Sequence, residues 1–186
     1  MNKLERICAC ANCELCKNQK PLMDHCLECQ VFWVGLSAKK KQNENEIPLS
    51  AQTNSGFIIC EIEKALKDIK CYKTNLVKCL PLDDEDKLRY PTQREINLCL
   101  PNLKQEIAEL SPKIVFLLGE KVYSSVGKYF NISFQKINGF EYNYVTFNNV
   151  YYVPIQHPSY MYVYKRKYIE NYIQGIKRII RHLMDS

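Results

Sequence analysis

The chain has 186 residues, 46% of them apolar and 25% charged, with a formal net charge of +6. That length supports one domain with a real core and is too short for two comfortable ones. No apolar run approaches the roughly 20 residues of a membrane span, and Met1 to Cys10 lacks the apolar stretch of a secretory signal; a soluble, cytoplasmic protein with no membrane partner is expected.

The first thirty residues hold six of the ten cysteines: Cys8, Cys10, Cys13, Cys16, Cys26 and Cys29. In a reducing compartment, thiols at this density point to metal ligands rather than disulfides. Residues 1–30 therefore read as a metal-organised segment with little apolar content to hold it otherwise, and residues 31–186 as an α/β domain. Val31–Gly35 is a short apolar run ending at glycine, the pattern of a buried strand. The polar stretch 36–56 reads as a long loop, and such loops in compact domains are often functional. Apolar spacing predicts a helix over 57–69, and alternation predicts a second strand over 72–80, stopped by Pro81.

Pro91-Thr92-Gln93-Arg94-Glu95 carries a capping box and opens a helix to about Leu110. Ile114–Gly119 is another buried strand, 121–130 suits a helix, and 131–153 alternates like short strands. A His157-Pro158 loop precedes a closing amphipathic helix with Ile169, Tyr172, Ile173, Ile176, Ile179, Ile180 and Leu183 on one face. Strands alternating with helices predict a three-layer α/β/α domain with a mainly parallel central sheet. Ligand sites in such sheets lie at the carboxyl ends of the strands, which brings 35–41, 75–79 and 157–160 around one cleft. Basic clusters at Lys39–Lys41, Lys165–Lys167 and Lys177–Arg181 fit a polyanion partner or solvated faces alike.

Five ordered motifs then resemble the family 4, iron–sulfur uracil-DNA glycosylases, over most of the chain. They are Cys10-x-x-Cys13-Glu-Leu-Cys16, Thr74-Asn75-Leu76-Val77-Lys78-Cys79-Leu80-Pro81, the helix from Pro91-Thr92 through Cys99 and Pro101, Pro112 to Gly119, and His157-Pro158-Ser159-Tyr160. The resemblance implies a uracil-DNA-glycosylase-like fold and a 4Fe–4S cluster held by Cys10, Cys13, Cys79 and Cys99. Cys8, Cys16, Cys26 and Cys29 remain, enough for a structural zinc. A different partition pairs Cys13-x-x-Cys16 with Cys26-x-x-Cys29 and leaves Cys8 and Cys10 for the cluster.

Excising a base requires flipping it into a pocket, donors aimed at its oxygen, an amide on its edge, and an acid near the sugar. The resemblance makes Asn75 the amide and His157 the donor. The family's first motif, Gly-Glu-(Ala or Gly)-Pro-Gly, stands here as Gly35-Leu36-Ser37-Ala38-Lys39, so leucine replaces the glutamate. Glu44 or Glu46 in the same loop is a candidate substitute, although nothing in the sequence requires either to fold back. The family's stacking phenylalanine matches Pro48-Leu49-Ser50-Ala51, which holds no ring. Leu36, Ser37, Ala51, Asn75, His157 and Ser159 are then the positions expected against the base. Three functions compete: a DNA-associated glycosylase homologue with weak or no uracil excision; an active glycosylase for uracil or another deaminated base; and a protein-interaction module bound by an acidic, DNA-mimicking inhibitor-type protein.

Overall fold

In the computed structural model, which describes residues 3–186, the apolar runs of the middle of the chain become the sheet. β1 (Val31–Ser37) and β3 (Ile114–Leu118) are almost entirely buried, as expected of parallel strands covered on both faces. β2 (Cys71–Val77), β4 (Val145–Phe147) and β5 (Val150–Ile155) complete a five-stranded sheet in the order β2-β1-β3-β5-β4. β1 pairs with β2 and β3, and β3 with β5, all parallel; only β4 runs antiparallel, against β5. The β4–β5 turn is made by Asn148 and Asn149, both at positive φ (49° and 61°), a conformation asparagine tolerates and tight hairpins need.

Side chains alternate across the sheet. Phe32, Val34, Tyr72, Val115 and Leu117 pack with α4 (Gln93–Leu110) and α5 (Glu120–Phe130) in one core. Val31, Trp33, Ile114 and Phe116 pack with α3 (Asn54–Lys64) and α7 (Ile169–Met184) in the other. The three-layer α/β/α arrangement is thus as expected, and the capping box at Thr92 and Glu95 is formed.

Four details differ from the sequence reading. α3 starts three residues before Phe57, because Thr53 caps it by accepting from Gly56 N at 3.0 Å. Residues 131–144 form no strand. The histidine loop runs directly into a further helix, α6 (Pro158–Tyr164), with His157 as its N-cap. The N-terminal segment is also better anchored than its composition implied. It carries α1 (Lys3–Cys8) and α2 (Leu15–Asn18), and Ile7, Leu15, Leu22 and Met23 are all buried. α1 packs on α4, so apolar contacts contribute to its docking. No helix among the described residues is long and apolar enough to cross a membrane.

After β1 the chain steps to β2 on one side and later to β3 on the other. Loops leaving the carboxyl ends of these strands diverge there, opening a crevice.

Candidate functional site

The crevice is a cavity of about 670 Å³, within the size range of small-ligand sites. Of the residues expected against a base, Leu36, Ser37, Asn75, His157 and Ser159 line it. Ala51 does not; it lies on an exposed turn outside the lining. Ile47, Pro48 and Leu49 line the cavity from that loop instead, Leu49 being held at positive φ (52°). The turn that presents it is pinned to α3. Thr53 Oγ1 donates to Ser50 O at 2.8 Å, and a Cβ on Gly56 would fall 2.0 Å from the same carbonyl.

Asn75 is paired in register with Gly35. A Cβ at Gly35 would stand 2.4 Å from Asn75 Oδ1 and 3.2 Å from Leu49 Cδ2. Glycine at the end of β1 is therefore what lets the amide and the leucine meet over the strand. The Asn75 amide is nearly enclosed and makes no side-chain hydrogen bond among the described residues. An amide facing a cavity with both donor and acceptor free is suited to reading a complementary edge.

Behind Asn75 is a buried polar network. Lys78 Nζ donates to the Asn75 carbonyl and to Thr74 Oγ1, each at 2.7 Å, and pairs with the Glu106 carboxylate. Tyr72 and Thr74 donate to Glu106 at 2.9 and 3.0 Å. Both charged side chains are fully buried. Burial, followed by the neighbouring carboxylate, pushes the Tyr72 phenol up, which keeps it a donor. The network fixes the backbone that carries Asn75.

His157 enters from the end of β5, backed by Gly119 at φ 93°, where a Cβ would lie 3.2 Å from His157 Cβ. The backbone N–H of Ser159 donates to His157 Nδ1 at 3.3 Å. Nδ1 is thereby an acceptor, so the ring proton resides on Nε2. Burial, and secondarily the charge of Lys39, lowers the imidazole pKa. His157 is thus a neutral N–H donor. An NMR titration should place its midpoint below that of a free imidazole; a midpoint at or above the free value would remove the neutral donor from the site.

Lys39, Lys121, Leu88, Tyr90, Tyr160 and Tyr164 line the same cavity, and the exposed rings stand at its mouth. Arg89 forks onto Glu95 at 2.6 and 2.9 Å, bracing the backbone before Tyr90. Glu46 also lines the cavity, and its carboxylate accepts from Gln42 N, whereas Glu44 is exposed beside Lys41. The sequence signalled Glu46 only as a possibility. Tyr90, Leu88 and Lys121 carried no motif, because they reach the cleft from other elements of the chain.

Cys10, Cys13, Cys16, Cys79 and Cys99 line another, small pocket on the α4 side of the sheet. Cys79 is pushed up to about 12, first by burial and then by the thiols of Cys99, Cys13, Cys10 and Cys16. Asn102 Nδ2 donates to Cys10 Sγ at 3.5 Å and to Cys99 Sγ at 3.7 Å, and Lys78 N donates to Cys99 Sγ at 3.4 Å. Converging thiols with N–H donors on sulfur are the surroundings an iron–sulfur cluster uses, so the residues fit such a group.

The four cysteines set aside for zinc are not gathered. Cys16 lines the five-thiol pocket. Cys26 and Cys29 stand beside each other and Asp24, and Cys8 lies near Glu106 and Glu5. Among the described residues, no three His, Cys, Asp or Glu side chains are close enough to hold a single ion. Cys13 and Cys16 of the other partition likewise stand in no such group with Cys26 and Cys29 among the described residues.

A mainly parallel sheet with an amide and an imidazole lining the crevice at its switch point defines an α/β protein with a cleft at the carboxyl ends of its strands. The sequence profile of the Uracil DNA glycosylase superfamily matches residues 12–181, and the chain belongs to that superfamily. It is 25% identical over 148 residues to the type-4 uracil-DNA glycosylase of Sulfurisphaera tokodaii, a match covering 74% of this chain and 64% of that relative's length. Its fold is similar to the crystal structure of Pedobacter heparinus SMUG2, with a TM-score of 0.57 and 13% identity over 86% of this chain and 77% of the other.

Proposed function

We propose that this chain binds DNA, admits an extruded base to the cleft, and excises uracil weakly or not at all. The observation that carries this is the survival of the base-reading pair beside the loss of the acid. Asn75 offers an unpartnered amide and His157 a neutral Nε2–H, while Leu36 stands in the first motif. As the glycosidic bond breaks, charge develops on the base oxygen and on the sugar. A preorganised N–H such as that of His157 stabilises the first. Leucine can neither stabilise the second nor orient water.

DNA fits the rim as well. Tyr90, Tyr160 and Tyr164 are exposed ring faces beside Lys39 and Lys121, and Lys165–Lys167 follow directly. Aromatic rings among cations are what single-stranded or extruded bases stack on. The experiment is binding to uracil- and thymine-containing oligonucleotides, single- and double-stranded, across a salt series. Affinity should fall as salt rises, and Asn75→Ala and His157→Ala should erase any preference for uracil. Absence of binding at low salt would overturn the reading.

Glu46 favours a second reading, an active glycosylase with a relocated acid, because it faces the same cavity. Base release lost in Glu46→Gln would establish it.

The five-thiol pocket supports a 4Fe–4S cluster within this reading. Cys10, Cys13, Cys79 and Cys99 are the ligands the family resemblance implies. When bound, such a cluster supplies cross-links between the N-terminal segment, the β2 exit and α4. The chain's own residues do the rest: Asn18 Nδ2 donates to Leu80 O at 3.0 Å, and Leu22 N donates to Lys78 O at 2.8 Å.

A further inference from the structure

Five thiols face a pocket where a four-iron cluster takes four, and the surplus one has a definite place. Cys10-x-x-Cys13-x-x-Cys16 repeats the spacing by which a single short run supplies three thiolates to ferredoxin clusters. Three of the five are individually set. Cys79 and Cys99 are buried on the rigid core. Cys10 shares the Asn102 amide with Cys99. Cys13 and Cys16 take no hydrogen bond on sulfur among the described residues. They sit one turn apart, with Cys16 N donating to Cys13 O at 3.4 Å. α2, which carries Cys16, is tied beside Cys79 through Asn18. Both thiols are half-buried against the same core.

We propose that Cys16 is an alternate cluster ligand, with Cys13 and Cys16 sharing the fourth position beside Cys10, Cys79 and Cys99. The inference rests on the cluster reading given above. Exchange between them is a ligand substitution with no change in oxidation state. The incoming thiol gives up its proton to solvent, its sulfur bonds to iron, and the outgoing thiolate takes a proton as its iron–sulfur bond breaks. The consequence is a cluster that survives loss or alkylation of either half-buried cysteine.

The test is iron and sulfide content, with the visible absorbance of the cluster, in protein purified anaerobically. Wild type is compared with Cys13→Ala, Cys16→Ala, Cys13→Ala/Cys16→Ala and Cys99→Ala. Each single variant at 13 or 16 should keep the iron content of wild type, while the double variant and Cys99→Ala should lose most of it. Loss of iron in Cys13→Ala alone, with circular dichroism unchanged, would overturn the proposal and leave Cys13 as the sole fourth ligand. Should Cys13→Ala fold poorly, iodoacetamide mapping of loaded wild type decides. Partial alkylation at Cys13 in some molecules and at Cys16 in others, never at both in one iron-retaining molecule, supports exchange; complete protection of Cys13 beside a fully labelled Cys16 opposes it. Iron-free wild type would instead defeat the cluster reading itself, an outcome distinct from either.

Discussion

Truncating Glu106 to alanine should destabilise the protein by about 3–5 kcal/mol, the cost of leaving a buried charge without its partner. Glu106 and Lys78 are both fully buried, and Lys78 also donates to Thr74 Oγ1 and to the Asn75 carbonyl. Removing the carboxylate strips Tyr72 and Thr74 of their acceptor as well, so three donors lose a partner at once. For a chain of this length the loss corresponds to a fall in the thermal midpoint on the order of 10 °C. Lys78→Met/Glu106→Leu should recover much of it, because an apolar pair of similar volume leaves no orphaned charge. A Glu106→Ala variant within about 1 kcal/mol of wild type would show that the network contributes little to stability.

The network also explains why a motif that reads as local in sequence is not local in space. Thr74, Asn75, Lys78 and Cys79 form one short segment. Their partners come from α4, where Glu106, Cys99 and Asn102 occupy one side of the helix. Asn75 points the other way, into the cleft. One strand exit thus joins the Asn75 amide in the cleft to the thiol pocket.

Much of this was legible in the sequence, for identifiable reasons. Continuous apolar runs marked β1 and β3 because parallel strands buried on both faces tolerate no polar side. Thr92 and Glu95 announced α4 because a capping box is a local device. Asn75 and His157 line the expected cleft because each sits in a run of residues at a strand exit. Features set by tertiary approach were not legible. α6 was missed because His157-Pro158 reads as a loop, although proline is favoured at the first position of a helix. Ala51 was expected against the base, but Ile47, Pro48 and Leu49 line the cavity from that loop, where the positive φ of Leu49 turns the backbone. The proposed zinc quartet is not gathered at one point among the described residues, because spacing within a chain says nothing about which way each thiol faces. Cys16 turned toward the cluster pocket, while Cys26 and Cys29 stayed beside Asp24.

The second large effect is expected at Leu36. It lines the same cleft as His157, at the end of β1 with Gly35 and Ser37. Replacing it by glutamate puts a carboxylate where the first motif of the family 4 enzymes that the sequence resembles has one, which on the proposed reading places it by the sugar of an extruded nucleotide. Charge stabilisation of this kind, in a site closed off from water, is worth roughly 3–4 kcal/mol per group, or more than about 10²-fold in rate. The gain requires that Asn75 and His157 already hold the base, so adding His157→Ala to Leu36→Glu should cancel it. The carboxylate also enters the cavity that holds Lys39 and His157, whose imidazole pKa is lowered by burial and by Lys39. A nearby negative charge raises a histidine pKa, so the variant's activity should decline as the pH falls and the imidazole protonates.

The most direct measurement is base release from uracil-containing single- and double-stranded DNA by anaerobically purified wild type, Leu36→Glu and His157→Ala. The account predicts little or no release by wild type and His157→Ala, and clear release by Leu36→Glu. Robust release by wild type that disappears in His157→Ala would contradict it, and would make this chain a working glycosylase with its acid elsewhere in the cleft.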